Sequence, residues 1–308
     1  MLKVINLTKS YGSLNVLKGI SLETKKGGIY GFLGENGAGK STTMNILAGL
    51  IGYDSGEIYL NGQSLKENKR ELLKKIGYLP QKPVFYNYMT AIEYLNFIGE
   101  INHMSSNKIK SRTKELLEIV NLKEAGKRRL GGYSGGMKQR FGIAVSIFNN
   151  PEFLFLDEPT SALDPEGRME VLEFIQTLQA RGTTVFLSTH ILNDIERICN
   201  HVSIIHEGKI IISEGLEELK SKYIQPIYDV EFEMNCENLK EGLKDIDFID
   251  NIIINKNHSS IYVNNMKKAS EELLKILVNL SNPITSFNLR QSNLEDIFLR
   301  LVNRHGNI

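Results

Sequence analysis

The sequence predicts an α/β domain followed by a small α+β domain, and three observations carry this prediction. A glycine-rich loop at residues 34–41 lies between a short apolar segment, 29–33, and a stretch whose apolar residues recur with helical spacing, 42–50. The segment 153–158 is apolar on both faces until it ends in two carboxylates, which is typical of a central strand in a parallel sheet. After Pro226 the pattern changes to strand, helix, strand, strand, helix, strand.

The composition predicts a chain without a membrane span and gives no sign of a nucleic-acid partner. Lys and Arg number 37 and Asp and Glu 36 among 308 residues, so the charge indicates neither nucleic acid nor an anionic membrane. The longest apolar run, 141–148, is far shorter than the ~20 residues that cross a bilayer. The start lacks the apolar run of a secretory signal, and Cys199 and Cys236 are too few for a disulfide framework. We therefore expect a chain from a reducing compartment that reaches a membrane only through another protein.

The loop at 34–41 matches the phosphate-binding pattern of glycine, four residues, then Gly-Lys-Ser. Its place between a strand and a helix predicts that backbone N–H groups face a polyphosphate. The alternative, a glycine-rich turn that precedes a lysine by chance, leaves this context unexplained. Lys40 is predicted to reach the β- and γ-phosphates and the Ser41 hydroxyl to ligate Mg²⁺. The predicted nucleotide-binding residues here are Gly34, Asn36, Gly37, Ala38, Gly39, Lys40, Ser41 and Thr42.

Polar residues at the ends of other predicted strands are expected at the same edge of the sheet. Asp157 is placed to hold Mg²⁺ and Glu158 to polarise an attacking water. Two acids at the end of a buried strand need a cation or hydrogen bonds to offset their burial. Gln81 and His190 follow two further predicted strands. A solvated loop residue remains the alternative for Gln81, whereas the shared edge favours ligand contact by His190.

A second glycine-rich loop, 131–136, leads into an apolar helix that runs to Phe148. Ser134, Gly135 and Gly136 stand at the helix start, where free N–H groups bind anions. The alternative is a flexible hinge, but a hinge does not explain why a helix begins directly at Gly-Gly beside a serine.

The remaining segments predict two subdomains and a domain boundary. Alternating segments, 2–7 and 16–23, predict an antiparallel β subdomain, and helical spacing predicts a helical subdomain inserted at about 83–150. The aromatic residues of that insert are expected to form both its core and a docking surface. We place the first domain at 1–222 and the second, with a ferredoxin-like split βαβ arrangement, at 223–308.

Over residues 1–220 these motifs occur in the order found in nucleotide-binding subunits of ATP-binding-cassette (ABC) transporters, and the chain resembles that family. The shared motifs are the phosphate loop 34–41, the glutamine-loop residue Gln81, the signature core 134–136, the acidic strand end 157–158, the loop 161–164 and the switch residue His190. Tyr11 by itself reads as an ordinary turn tyrosine, but it falls where the family places its adenine-stacking aromatic. The signature usually opens with leucine and closes with glutamine. Tyr133 and Met137 stand there in this chain, a form that resembles antibiotic- and peptide-export ATPases.

The resemblance implies an ATP hydrolase that uses ATP and Mg²⁺ and whose fold is the P-loop NTPase cassette, a mixed sheet with the two subdomains. Two cassettes, a second copy or a paralogue, would pair head to tail so that the signature of one closes over the ATP of the other. The roles implied for single residues are general base for Glu158, γ-phosphate contact for His190, γ-phosphate and Mg²⁺ sensing for Gln81, Mg²⁺ binding for Ser41 and Asp157, and a bridge between cassettes for Asp164.

The family also implies a transmembrane permease partner at the cytoplasmic face of the cell membrane, and no nucleic acid. The signature form and the closing segment 294–298 favour an exporter of a drug, an antimicrobial peptide or a lipid-like solute. A cassette acting on ribosomes or DNA is the alternative, but such proteins usually carry two cassettes or a long coiled-coil insertion. The intact signature and His190 argue against a phosphate-loop kinase or GTPase, and intact Lys40 and Glu158 against an inactive cassette. The second domain is predicted to be regulatory or to support a dimer.

Overall fold

The computed structural model describes residues 1–236, 239–280 and 282–305, and the chain divides into two compact units, Met1–Leu216 and Glu217–Ile308. The sequence placed this boundary six residues later, between 222 and 223. The difference is the helix Leu216–Tyr223, which the sequence patterns did not predict. The N–H of Leu216 donates to the Asn200 carbonyl, whereas the Tyr223 carbonyl accepts a hydrogen bond from Ser292. The helix therefore begins on the first unit and ends on the second.

The first unit contains two β-sheets and the helices that cover them. Its strands are β1 (Leu2–Tyr11), β2 (Leu14–Glu23), β3 (Ile29–Leu33), β4 (Ser55–Leu60), β5 (Gln63–Ser64), β6 (Ile76–Leu79), β7 (Phe153–Asp157), β8 (Thr184–Thr189), β9 (His201–His206) and β10 (Lys209–Gly215). Its helices are α1 (Lys40–Leu47), α2 (Lys69–Leu73), α3 (Ala91–Ile101), α4 (Ser106–Ile119), α5 (Gly135–Ser146), α6 (Pro165–Ala180) and α7 (Leu192–Ile198), with α8 (Leu216–Tyr223) leading into the second unit.

The larger sheet is mixed and has the strand order β10-β9-β3-β8-β7-β6. All neighbours in it are parallel except β10, which runs antiparallel to β9. Strands β3, β7 and β8 are buried along their whole length, which explains their continuous apolar runs. The register pairs Leu33 with Thr189 and Asp157 with Ser188. The carboxyl ends of the central strands therefore meet at one edge, as the sequence predicted.

The smaller sheet is antiparallel and has the order β2-β1-β4-β5. Strands β4 and β5 are joined by Asn61 and Gly62, which have φ of 49° and 79° and so form the predicted Asn-Gly hairpin turn. Apolar residues of this sheet, among them Leu2 and Ile58, share one buried cluster with Phe32 and Phe155 of the larger sheet. The predicted antiparallel subdomain is therefore packed against the nucleotide-loop strand.

The predicted helical insert is present as α3, α4 and α5. Helix α3 begins with a capping box, in which Thr90 accepts from the N–H of Glu93 and the Glu93 carboxylate accepts from the N–H of Thr90. Phe85, Tyr94 and Phe141 pack edge to face, with ring centroids 4.9 to 5.7 Å apart. These aromatic side chains form the core of the insert.

Several predicted helices differ in their bounds from the observed ones, and α7, like α8, was not predicted. Helix α1 covers 40–47 and not 42–50, because Gly49 takes a φ of 71° that ends a helix, and Leu50 is exposed. Helix α2 occupies only the middle of the predicted helix 66–75. Helix α6 begins one residue earlier than predicted, because Pro165 fits the first helical position. The short helix α7 is too short for its apolar period to be recognised.

The second unit has the predicted strand and helix order. Its strands are β11 (Pro226–Phe232), β12 (Ile249–Asn255), β13 (His258–Val263) and β14 (Ile284–Gln291), and its helices are α9 (Leu239–Leu243), α10 (Met266–Asn279) and α11 (Leu294–His305). The sheet is antiparallel with the order β12-β13-β11-β14, which is the ferredoxin-like arrangement. The predicted start of α9, residue 237, lies outside the described residues.

The core of the second unit lies between its sheet and the helices α9 and α10. It contains Val230, Phe248, Ile261, Leu273 and Leu277. Within residues 1–236, 239–280 and 282–305 there is no helix with both the length and the apolarity needed to cross a membrane.

Candidate active site

The phosphate loop curls between β3 and α1 because its glycines adopt conformations that other residues rarely take. Gly37 and Gly39 have φ of 84° and 111°. A Cβ added to Gly34 would lie 2.5 Å from the carbonyl oxygen of Ile205, so only glycine fits beside β9. Gly39 is the N-cap of α1, and no side chain caps this helix start. The N–H groups and the positive end of α1 therefore face the hollow of the loop, as an anion site requires.

Lys40 is buried beneath this loop and points its ammonium group at the loop backbone. Its Nζ donates to the carbonyls of Gly34 at 2.7 Å and Glu35 at 3.1 Å. The same Nζ lies 3.9 Å from Oε1 of Glu158. Burial lowers the pKa of Lys40, while the carboxylates of Glu158 and Asp157 act in the opposite direction. A cation is thus held at the floor of the loop, next to the acidic strand end.

Glu158 is the first residue after β7 and has a φ of 52°, which is unusual for a residue with a side chain. The sequence predicted that the strand continued through Glu158, but this turn takes the residue out of the strand. The carboxylate is 3% exposed, and Nδ1 of His190 lies 3.0 Å from Oε1 and 2.8 Å from Oε2. The His190 side chain is 53% exposed. Lys40, Glu158 and His190 therefore meet, with the histidine on the solvent side.

Asp157 is buried at the end of β7 and accepts a hydrogen bond from the Ser188 hydroxyl. The hydroxyl of Ser41, the Asp157 carboxylate and the amide oxygen of Gln81 are hard oxygen ligands of the kind that Mg²⁺ prefers. Among the described residues there is no cluster of three or more His, Cys, Asp or Glu side chains that could hold a metal alone. By its chemistry this donor set fits a Mg²⁺ ion that shares its coordination with substrate phosphates.

Gln81 and Tyr11 are both exposed. Gln81 follows β6, whose Leu79 pairs with Leu156 of β7, so it stands at the same sheet edge as Asp157. Tyr11 ends β1 in the antiparallel sheet, with Nζ of Lys9 5.2 Å from its ring centroid. Both side chains are accessible to a ligand.

The signature residues form a separate surface. Ser134 is the N-cap of α5, and its hydroxyl accepts from the N–H of Met137 at 3.3 Å. Ser134, Gly135 and Gly136 line an open cavity of about 850 Å³ together with Asp164, whose carboxylate caps α6 by accepting from the N–H of Gly167. None of the lining residues that the structure describes belongs to the phosphate loop. The phosphate loop therefore contributes no residue to the cavity beside the signature.

The two departures in the signature have different environments. Tyr133 is buried, donates its hydroxyl to the Ala125 carbonyl at 2.8 Å and packs edge to face on Phe141. It therefore fills the core of the helical insert, and burial raises the pKa of its hydroxyl. Met137 lines the open cavity beside Ser134.

Two residues that contact the Glu158 backbone were not predicted from the sequence. The Ser188 hydroxyl and carbonyl accept from the Glu158 N–H at 3.2 and 3.1 Å, and Nε2 of Gln139 donates to the Glu158 carbonyl at 3.2 Å. Ser188 precedes His190 by two residues, and its position near the end of a predicted strand could have indicated that it belongs to the site. Gln139 stands between Lys138 and Arg140, so no local pattern distinguished it in the sequence.

The loop, the buried lysine and the acidic strand end define a phosphate-loop nucleoside triphosphatase. The family model of ABC transporters matches residues 17–161, and that of the C-terminal domain of DrrA1-3-like ATP-binding proteins matches residues 215–302. The chain belongs to the ATP-binding proteins of ABC transporters. It binds and hydrolyses ATP as the energy-supplying subunit of a membrane transporter.

Three curated relatives and one solved structure illustrate the similarity. The chain is 38% identical to the uncharacterised ABC transporter ATP-binding protein YxlF of Bacillus subtilis over 98% of this chain and 99% of the relative. It is 37% identical to the bacitracin transport ATP-binding protein BcrA of Bacillus licheniformis, over 98% and 97%. It is 40% identical to the lantibiotic transport ATP-binding protein SrtF of Streptococcus pyogenes, over 73% and 97%. None of these names supports the alternative of a cassette that acts on ribosomes or DNA.

The solved structure is a dimeric ATP-binding cassette in a post-hydrolysis state bound to ADP and Pi. It is 28% identical, with a TM-score of 0.66 over 70% of this chain and 99% of that one. The predicted cassette fold is therefore confirmed, and ATP-binding cassettes of this kind work as dimers with a membrane permease.

Proposed function

We propose that two copies of this chain, or one copy and a paralogous cassette, pair head to tail and hydrolyse ATP at sites built from both. The observation that carries this proposal is the separation of the two glycine-rich loops. Lys40, Glu158 and His190 gather at the phosphate loop, whereas Ser134, with its neighbours and Asp164, lines an open cavity elsewhere on the same unit. A second copy would supply these donors to the phosphate loop of the first.

Different residues of the phosphate loop and the sheet edge bind different parts of MgATP. The loop N–H groups and Lys40 hold the phosphates, and Tyr11 stacks on the adenine. Ser41 and Asp157, with Gln81 at the margin, would hold Mg²⁺, which neutralises phosphate charge when it is bound. In the opposite cassette, Ser134 and the N–H groups at the start of α5 contact the γ-phosphate. Asp164 forms a contact between the two cassettes.

Glu158 acts as the general base or water-orienting group. It accepts a proton from the water whose oxygen attacks the γ-phosphorus, while the bond to the β–γ bridging oxygen breaks. His190 fixes the carboxylate of Glu158 from the solvent side, at 2.8 to 3.0 Å, and is exposed enough to contact the γ-phosphate as well. The rate enhancement comes from positioning and electrostatic stabilisation.

The test is the substitution Glu158→Gln in the full chain, with Glu152→Gln as the matched control. Glu152 precedes β7 and is half-exposed, so the control makes the same chemical change at the other end of the same strand. We expect Glu158→Gln to bind ATP normally, to lose roughly 100-fold or more in turnover and to accumulate as an ATP-bound dimer. Steady-state ATPase assays and size-exclusion chromatography with light scattering measure these outcomes.

Two results would contradict the proposal. One is a wild-type turnover per chain that is independent of protein concentration and comes from a monomer. The other is a Glu158→Gln variant that hydrolyses ATP as fast as the Glu152→Gln control.

We propose that the permease docks on an exposed apolar surface of the helical insert, at the cytoplasmic face of the cell membrane. The residues of this surface, which begins three residues after Gln81, are Val84, Tyr86, Tyr88, Phe97 and Ile101, each at least 40% exposed. Their exposure differs from that of the neighbouring Phe85 and Phe141, which form the core of the insert. A large apolar surface of this kind is typical of a protein interface.

We further propose that the cargo is an antimicrobial peptide or a similar drug that the transporter exports. The support is the match of the whole chain to the bacitracin transport protein and of the cassette to the lantibiotic transport protein. Loss of the chain in its source organism should lower the inhibitory concentration of bacitracin or a lantibiotic several-fold. The inhibitory concentration of an antibiotic that acts on the ribosome should stay unchanged. Wild type should restore resistance and Glu158→Gln should not. Unchanged sensitivity to every membrane-directed peptide tested would refute the export proposal.

A further inference from the structure

The backbone of Glu158 is held by hydrogen bonds on both sides of its unusual φ of 52°. On the amino side, the Glu158 N–H donates to the carbonyl and hydroxyl oxygens of Ser188 at 3.1 and 3.2 Å. On the carbonyl side, the Glu158 oxygen accepts from Nε2 of Gln139 at 3.2 Å and from the Ser161 hydroxyl at 3.1 Å. A left-handed conformation at a residue with a side chain persists only where its surroundings enforce it. The orientation of the Glu158 carboxylate therefore depends on these bonds.

Gln139 differs from the other residues that contact Glu158 because it belongs to the signature helix. It lies on α5, five residues after the N-cap Ser134, and is 1% exposed. Its neighbours Phe141, Ile143 and Ala144 on the same helix are buried and apolar. A buried amide in such surroundings is unfavourable unless it is hydrogen bonded, so the bond to the Glu158 carbonyl gives this residue a defined role.

Helix α5 also contacts the segment that follows Glu158 at two further points. A Cβ added to Gly136 would lie 3.3 Å from Cδ2 of Leu163, so the start of α5 is close to the loop after β7. Nη1 of Arg140 lies 2.8 Å from Oε2 of Glu170 on α6. The signature helix thus contacts Glu158, the loop after it and the next helix.

From this geometry we infer that Gln139 is a positioning residue that couples the signature motif to the Glu158 carboxylate of the same chain. The inference rests on the proposed function, because the signature then receives the ATP bound by the opposite cassette. A nucleotide that engages Ser134 fixes α5, and α5 fixes the Glu158 carbonyl through Gln139. Each ATP therefore orders the Glu158 carboxylate that acts on the other ATP. The two sites of the dimer then hydrolyse ATP with positive cooperativity.

The test is Gln139→Met, which keeps nearly the same volume and removes the amide. The Glu158 carbonyl keeps its bonds from Ser161 in this variant, so the fold is retained. We expect the kcat for ATP hydrolysis to fall about five- to tenfold, the amount that one hydrogen bond contributes. The Kd for ATP should stay within about twofold, since Gln139 does not contact the phosphate loop. The Hill coefficient for ATP should fall toward one.

Gln179→Met is the matched control. Its amide also donates to a backbone carbonyl, that of Gly27, but at the end of α6 away from the site. We expect this control to keep the wild-type kcat and Hill coefficient. Gln139→Leu is the second variant, because it also removes the amide and introduces no charge at this buried position. It should reproduce the fall in kcat if Gln139→Met is poorly folded.

A Gln139 variant with wild-type kcat and Hill coefficient, in a protein where Glu158→Gln abolishes turnover, overturns this inference and leaves the proposed function intact. If Glu158→Gln retains turnover, the proposed function itself is wrong, whatever the Gln139 variants show. A lowered kcat with an unchanged Hill coefficient also overturns the coupling, since it assigns Gln139 to one site only.

Discussion

The charge of Lys40 contributes little to the free energy of folding. The side chain is 6% exposed, its ammonium is held by two loop carbonyls and lies 3.9 Å from the Glu158 carboxylate, and burial lowers its pKa. A lowered pKa means that the charged form is less favourable in the folded than in the unfolded chain. This destabilisation is present at neutral pH. It is lost as the pH rises through the lowered pKa of Lys40 in the folded chain, and it is absent above the pKa of Lys40 in the unfolded chain. The role of Lys40 is therefore to bind the ligand and not to stabilise the fold.

Substituting Lys40→Met should separate binding from stability. We expect the affinity for ATP to fall about 100-fold, because charge-assisted bonds to the phosphates are lost. The Tm without nucleotide should stay close to that of wild type, since the cost of burying the cation and its attraction to Glu158 offset each other. Isothermal titration and thermal unfolding measure the two effects. Lys74→Met, at a lysine that is 63% exposed, is the control for the change of residue type.

A clear loss of Tm in Lys40→Met without nucleotide would show that the lysine stabilises the fold, contrary to this argument. ATP affinity equal to that of Lys74→Met would remove Lys40 from the binding site altogether.

The turn between β9 and β10 shows how one element can hold another in place. Gly208 donates its N–H to the Ala38 carbonyl of the phosphate loop at 3.1 Å, and its carbonyl accepts from the N–H of Lys18 at 2.8 Å. On the same hairpin, Nδ1 of His206 lies 3.7 Å from Oε2 of Glu35 in the loop. The hairpin therefore connects the phosphate loop to the antiparallel sheet that carries Tyr11.

Gly208→Ala and Gly62→Ala form a matched pair that tests this connection. The two glycines have φ of 80° and 79°, so alanine meets the same backbone strain of about 1–2 kcal/mol at each. A Cβ at Gly208 would lie 2.3 Å from the Val16 carbonyl, whereas nothing lies within 4 Å at Gly62. We expect both variants to lose Tm, and only Gly208→Ala to raise the Kd for ATP. Equal ATP affinity in the two variants would contradict a role for the hairpin in shaping the loop.

At the scale of the whole molecule, the chain consists of two units whose cores are separate. The first unit buries Phe32, Phe155 and Phe186 between its sheets, and the second buries Phe248 and Leu273 between sheet and helices. The role of the second unit as a regulatory or dimer-supporting domain stays a prediction. Its match to the C-terminal domain of DrrA1-3-like ATP-binding proteins fits an appendage that belongs to this kind of transporter subunit.

An ion-pair network within the second unit was not predictable from its sequence. Arg290 on β14 pairs with Asp229 on β11 and with Asp296 on α11. These charges raise the pKa of the Arg290 guanidinium, chiefly through Asp296. Asp229 is 61 residues from Arg290 in the chain, and the pairing of β11 with β14 makes them neighbours. Asp296 is only six residues from Arg290 but lies on the next helix.

The sequence by itself determined the motifs, the order of the elements and the ferredoxin-like arrangement of the second unit. It did so because glycine and the apolar period act locally, as at Gly39 in the phosphate loop and Gly62 in the hairpin turn. The tertiary structure alone decided which side chains meet. It put Lys40, Glu158 and His190 at one sheet edge, tied Gln139 to the Glu158 carbonyl, and kept Ser134 apart from the phosphate loop. Such contacts depend on strand order and register, which bring together residues that are distant in the chain and leave no local pattern in it.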